Sequence, residues 1–176
     1  MSWRLALLGV LALCGACRRD PTAAKQTFVD SGNRYMATGK YAEAAVQYRN
    51  ARAVEPGSAD VRVKLAEAFL QSGNFGDALD EIVRGADMLP DDMALQLHAG
   101  NLLLLAGRFD DAKDRAEKVL AKNAGDVNAQ ILVANALAGL KDFDAAVNQI
   151  EEAIKIARDR SGTYSNLGAL ELSRAS

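Results

Sequence analysis

An all-α solenoid is the fold class that this 176-residue sequence predicts, and three observations carry the prediction. Alanine is abundant, the three prolines stay out of segment interiors, and the strand-type alternation of Val, Ile and Thr with polar residues is hard to find. A period of 34 residues runs through the chain from Lys25: its seventeenth place holds Tyr41, Phe75, Phe109 and Phe143. The eighth place holds Gly32, Ala66, Gly100, Ala134 and Gly168, always a residue with little or no side chain. A period of this size marks helical hairpins stacked side by side, because a single hairpin cannot bury its apolar face alone.

The first residues read as an address. Met1 to Arg4 brings one positive charge, and Leu5 to Leu13 is an apolar run of the length of a signal-peptide core, too short to span a bilayer comfortably. Cys14-Gly15-Ala16-Cys17 follows, and then the abrupt change to Arg18-Arg19-Asp20-Pro21-Thr22. This stretch resembles the lipobox of bacterial lipoproteins, in which small residues precede a cysteine that is acylated after cleavage. Cys17 fits better than Cys14, since Gly15 and Ala16 are the small residues before it, whereas Leu13 precedes Cys14; the departure is Cys14 itself, where the family usually has leucine. The resemblance implies a signal peptide over 1–16, a lipid on Cys17 and a tether over 17–24. Arg18, in place of the aspartate that retains such proteins at the inner membrane, implies the periplasmic leaflet of the outer membrane. An ordinary cleaved signal peptide with an unmodified cysteine is the other reading of the same residues. With Cys17 acylated, the mature chain holds no second cysteine, so stability has to come from packing rather than disulfides.

Four units then follow over 25–58, 59–92, 93–126 and 127–160, with a first helix or cap over 161–176. In each, a small residue at the eighth place and alanine at the twentieth (Ala44, Ala78, Ala112 and Ala146) let the two helices of a hairpin approach closely. Gly39, Gly73 and Gly107 fall at the fifteenth place, where the first helix should close in the left-handed conformation that glycine tolerates, and Lys141 breaks the series. Tyr41, Ala44, Ala45, Tyr48 and Ala51 share one helical face, which is expected to turn inward. Pro56 and Pro90 end the second helices of the first two units, and Asn123-Ala124-Gly125 does so in the third. The last stretch, Ser161 to Arg174, supplies one helix only. It is either a solvating cap or the start of a further unit, and Gly168, which keeps the close-packing place, favours the second.

These places closely resemble the tetratricopeptide repeat, or TPR, whose signature is a small residue at the eighth place, alanine at the twentieth, frequent alanine at the twenty-seventh and proline at the thirty-second. The match runs from 25 to 174. The twenty-seventh place holds Ala51, Gly85, Val119 and Ala153; the fourth, where the family often has tryptophan, departs with Phe28, Arg62, Gln96, Gln130 and Tyr164. The resemblance implies a right-handed superhelix with a concave face formed by first helices, used to hold an extended segment or a helix of another protein. On that face the ninth place holds Asn33, Asn101 and Asn135, interrupted by Glu67. Asparagine amides there either bind the backbone of an extended peptide or bond a neighbouring helix, and both readings stand. Val29, Val63, Leu97 and Ile131 form an apolar stripe at the fifth place, and Leu104 with Leu105 makes the third unit greasy. Such a patch marks a partner site unless it is claimed by packing between units.

Other classes do poorly. The formal net charge of −2 is spread over mixed-sign helices, without the basic track that follows a phosphate backbone, so nucleic acid is not expected as a partner. No glycine-rich phosphate loop, nucleophile-base pair or metal-ligand spacing is present, and the single His98 has no cysteine partners. Neither an enzyme, a metal, a cofactor nor a small-molecule substrate is expected. The competing reading is a regulatory array belonging to a longer polypeptide whose active domain lies beyond Ser176.

Overall fold

The computed structural model describes residues 21–157 and 161–174. Cys14, Cys17 and Arg18 lie outside them. The described residues form helices in hairpin order: α1 (Pro21–Ala37) and α2 (Tyr41–Val54), α3 (Ala59–Gln71) and α4 (Phe75–Met88), α5 (Met93–Leu105) and α6 (Phe109–Lys122), α7 (Val127–Gly139) and α8 (Phe143–Ile156), then α9 (Ser161–Arg174). Each hairpin packs on the next, and α5 also packs directly on α7, so the first helices stand side by side. One boundary differs from expectation. Residues 21–24, read as tether, are the first turn of α1. Proline suits that position, because its fixed φ is helical and the N–H it lacks has no partner in a first turn.

The turn inside each hairpin is built the same way. Gly39, Gly73 and Gly107 have φ of 72°, 79° and 73°. The N–H of Lys40 reaches the Tyr35 carbonyl at 3.0 Å while that of Gly39 reaches Met36 at 3.1 Å, closing the last carbonyls of α1. The same pair of bonds recurs at Asn74 and Gly73, at Arg108 and Gly107, and at Asp142 and Lys141. Lys141 therefore takes the glycine conformation, at φ 68°, although a Cβ there crowds the following carbonyl.

Packing within a hairpin rests on the small residues. Ala44, Ala78, Ala112 and Ala146 are fully buried, and so are Ala66 and Ala134 at the eighth place. A Cβ on Gly32 would stand 2.4 Å from the Tyr48 ring, and one on Gly100 would stand 2.6 Å from Leu132 Cδ2. Leu65, Ile82, Leu103, Leu132 and Ile150 are the large apolar side chains so enclosed, each worth about 1.5–3 kcal/mol of burial. Of the face predicted for α2, Ala44, Ala45, Tyr48 and Ala51 are buried and Tyr41 is half-buried.

Packing between units uses polar side chains from the fourth place. Gln96 Nε2 donates to the Ala86 and Leu89 carbonyls at 2.7 and 3.2 Å, Gln130 Nε2 to the Ala124 carbonyl at 2.8 Å, and Arg62 Nη2 to the Pro56 carbonyl at 3.1 Å. Each thereby serves a carbonyl at or just past the end of the preceding second helix. Second helices complete the set: Arg115 donates to Gln96 Oε1 at 2.9 Å and to Asp87 at 2.6 Å, and buried Glu81 accepts from Arg62 at 2.8 Å and from Arg52.

Two substitutions should raise stability and two should lower it. Gly85 lies inside α4, where an added Cβ would meet Val63 Cγ2 at 3.5 Å in ordinary contact. Gly85→Ala is expected to stabilise the fold by about 0.5–1 kcal/mol. Lys141→Gly, relieving the left-handed backbone at the loss of an exposed contact to the Phe143 ring, should give a gain of about 0.5–1 kcal/mol. Gly32→Ala should lower the thermal midpoint. Glu81→Ala strands Arg62, whose side chain is 14% exposed, and is expected to cost about 3 kcal/mol, read as a shift of the urea midpoint.

Candidate functional site

Two adjoining cavities open along the first helices. The first, of 370 Å³, lies between α3 and α5, with Asp60 and Val63 on one side and Ala94, Leu95 and His98 on the other; Asp92 and Leu89, from the junction between units, complete it. The second, of 470 Å³, lies between α5 and α7. There Leu97 and Asn101 face Asn128, Ile131 and Leu132, while Ala94 and His98 are shared with the first cavity. Helix periodicity makes this arrangement: the second, fifth, sixth and ninth places fall on one face, and stacking sets successive faces side by side.

The expected residues do not all arrive there. Val63, Leu97, Asn101 and Ile131 line the cavities. Asn135 is half-buried on α7, one turn beyond Ile131. Val29 corrects the apolar stripe: it is buried with Ala51 and Val61 in the core between the first two units. The side chain of Phe28 beside Val29 also packs on that core, so the first unit's fifth place is spent on cohesion. Leu104 is half-buried against the core formed around Leu103 and Leu132, whereas Leu105 is 74% exposed.

The asparagines divide in the same way. Asn33 Oδ1 accepts the Tyr48 hydroxyl at 2.8 Å, a bond within the first unit that ties α1 to α2. Asn101 is exposed and lines the second cavity. His98, for which the sequence offers no cysteine partners, lines both cavities. The signal that could have found it was its sixth place, one residue past the apolar stripe and still on the same face. Asp92 and Leu89 gave no such signal, since they reach the groove from the junction. Among the described residues, no group of His, Cys, Asp and Glu could hold a metal ion.

A further cluster lies on the second helices, where Arg49, Arg52 and Arg84 meet Asp77, Asp80 and Glu81. Arg49 stacks over the Phe69 ring at 4.8 Å and reaches Asp77 at 3.5 Å. Cations and carboxylates are matched there, so the cluster ties α2 to α4 rather than presenting one sign of charge.

Near the first unit the groove is acidic, and Tyr48 registers it. Burial pushes its hydroxyl above the ordinary tyrosine range, and the carboxylates of Glu67 and Asp60 push it further. A raised pKa in the folded state means that this contribution to stability is whole below the unfolded value near 10.0 and is lost as pH rises through the folded one. Urea unfolding followed from pH 9 upward should show a fall that is shallower in Tyr48→Phe, which will itself be less stable at neutral pH by about 1 kcal/mol for the lost bond to Asn33.

The Tetratricopeptide repeat family matches residues 35–100 and 103–170. Among solved structures, a crystal structure of MamA is 16% identical, covering 88% of this chain and 84% of that one with a TM-score of 0.77. MamA from Desulfovibrio magneticus RS-1, from residue 41 to its end, is also 16% identical, covering 86% of each chain with a TM-score of 0.75. YrrB, described as a TPR protein with an unusual peptide-binding site, is 19% identical, covering 82% of this chain and 74% of its own with a TM-score of 0.72. At such identities the likeness is one of fold. No curated protein matches the sequence. The family match spans most of the chain and agrees with the hairpin stack, so this chain belongs to the tetratricopeptide repeat family, an all-α solenoid fold of protein-interaction scaffolds.

Proposed function

We propose that this chain is a lipid-anchored scaffold of the bacterial cell envelope, holding an extended segment of another envelope protein against its first helices. The observation that carries the reading is the run of two adjoining cavities with mixed apolar and amide or carboxylate linings, continuous across α3, α5 and α7. Such a lining suits a peptide, whose side chains need apolar seats and whose backbone needs donors and acceptors. YrrB, of the same fold, is described as having a peptide-binding site, which supports the reading by analogy. The tether rests on Cys17 and the lipobox-like residues around it, and no helix of the described residues is long and apolar enough to cross a membrane. Acyl chains add about 0.8 kcal/mol per buried methylene, so a multiply acylated Cys17 holds the protein at the bilayer. Secretion, pilus assembly and polysaccharide export are the envelope processes in which such a scaffold would serve, on the outer membrane's periplasmic leaflet.

A second reading, a regulatory array joined to further sequence, draws on α9. Gly168 is exposed with nothing within 4 Å of an added Cβ, whereas Gly32 and Gly100 at the same place are covered by neighbouring helices. A further helix would seat there.

The test places a photo-crosslinking side chain at Asn101 in the groove or at Asp114, exposed on α6, in cells producing the full chain. A discrete adduct from Asn101 and none from Asp114 is expected. Adducts from Asp114 alone would sink the groove as the binding face. Cys17→Ser should move the protein out of the membrane fraction, and its staying there would remove the lipid anchor.

A further inference from the structure

We infer that the groove selects a segment in which a lysine or arginine stands three residues from an apolar side chain, the cation seated between α3 and α5 and the apolar group between α5 and α7. The inference rests on the groove reading above and narrows the partner's chemistry.

The two cavities differ in what they can stabilise. At the first, the carboxylates of Asp60 and Asp92 rim a floor made by Val63 and Leu95. Among the described residues, no lysine or arginine lines it. Lys64 approaches Asp60 at 3.6 Å, from the next turn of the same helix, and leaves the Asp60 side chain 71% exposed. Asp92 accepts the Leu95 N–H at 3.0 Å through one oxygen, as the cap of α5, and its other oxygen retains acceptor capacity. An apolar floor under an acidic rim complements a long basic side chain, which buries its methylenes and carries its charge at the tip. A carboxylate brought to the same place would meet two like charges. The second cavity is lined by Leu97, Ile131 and Leu132, with no carboxylate among the described residues, and Asn101 in the same lining offers an amide to a passing backbone.

Spacing follows from the helix between them. Both cavities touch Ala94 and His98, so α5 alone separates them, and packed helices lie about 8–10 Å apart. A polyproline-type chain turns once every three residues and advances about 9 Å in doing so, which brings side chains three apart onto the same side at that separation. A flat strand does not, since its alternate side chains point to opposite faces.

The experiment measures fluorescence anisotropy of short capped peptides on the full chain in detergent. One set carries Lys and Leu three apart, in both orders, in a Ser and Pro background; others exchange Lys for Glu or change the spacing by one. In one order the Lys peptide is expected to bind at least about tenfold more tightly than its Glu counterpart, with the preference shrinking as salt is raised. Asp60→Asn with Asp92→Asn should reduce the preference to less than about threefold, and asparagine keeps the helix cap intact. Equal binding of Lys and Glu peptides, or indifference to spacing, would overturn the motif; if Leu97→Asp still abolished that binding, the groove itself would stand. Failure of every peptide to bind, with the Asn101 adduct still formed, likewise overturns the motif alone. Peptide binding that Leu97→Asp leaves untouched overturns motif and groove together.

Discussion

The solenoid depends on how the end of each second helix is closed. The last carbonyls of α2, α4 and α6 have no partners within the helix, and the next unit must pack over that end without leaving them bare. Side chains at the fourth place resolve this. Arg62, Gln96 and Gln130 each reach back to a carbonyl of the preceding unit, and Gln96 is 1% exposed as it does so. Buried amide and guanidinium groups bonded in this way fix one stacking geometry, because any slip of a unit would strand both the donor and the carbonyl at a cost of about 1–3 kcal/mol each. Where the first helices stand relative to one another, and hence what the groove looks like, is a consequence of those bonds.

The partner at the twenty-third place changes from unit to unit while the task stays the same. Arg62 is met by Glu81, and Gln96 by Arg115, which in turn reaches Asp87. Both pairings supply the fourth-place side chain with something to bond on its far side. Gln130 has no such bond, and its Oε1 is buried without a partner, as is Nε of Arg62, so of the three fourth-place side chains Gln96 is the one whose polar groups are all bonded. Repeats share geometry more strictly than they share chemistry: the alanines at the twentieth place are identical because the helix separation is, whereas the polar junctions need only close.

This distinction also separates what was legible in the sequence from what was not. Period, hairpin boundaries and turn glycines could be read because each answers a local steric demand that recurs unchanged. All the second helices among the described residues start at the aromatic of the seventeenth place. The fourth place looked tolerant, since its residues vary, yet it carries the junctions; variation hid a constant role that only pairing across units reveals. Lys141 looked like a break in the glycine series, but the turn imposes a φ of 68° on it because the two helices of its hairpin determine the backbone there. Val29 was misplaced for the opposite reason: its place in the period is that of groove residues, but the first unit buries it beside Phe28. Leu89 and Asp92 entered the groove from the junction between units, outside the helical face on which the groove places were read.

Groove and junction are therefore one structure seen from two sides. Leu89 lines the first cavity, and its carbonyl accepts from Gln96 at 3.2 Å. Asp92, on the rim, caps α5, the helix that carries Gln96. A segment lying across α3, α5 and α7 would touch three units at once. In a stack whose stability is a sum of unit terms and neighbour terms, such a ligand acts as an added neighbour term, tightening the second junction and the third together. The same coupling runs in reverse. A junction held in one geometry by Gln96 and Arg115 presents the cavities at a fixed separation before any ligand arrives, and that preorganisation is what allows spacing, rather than charge alone, to be selected.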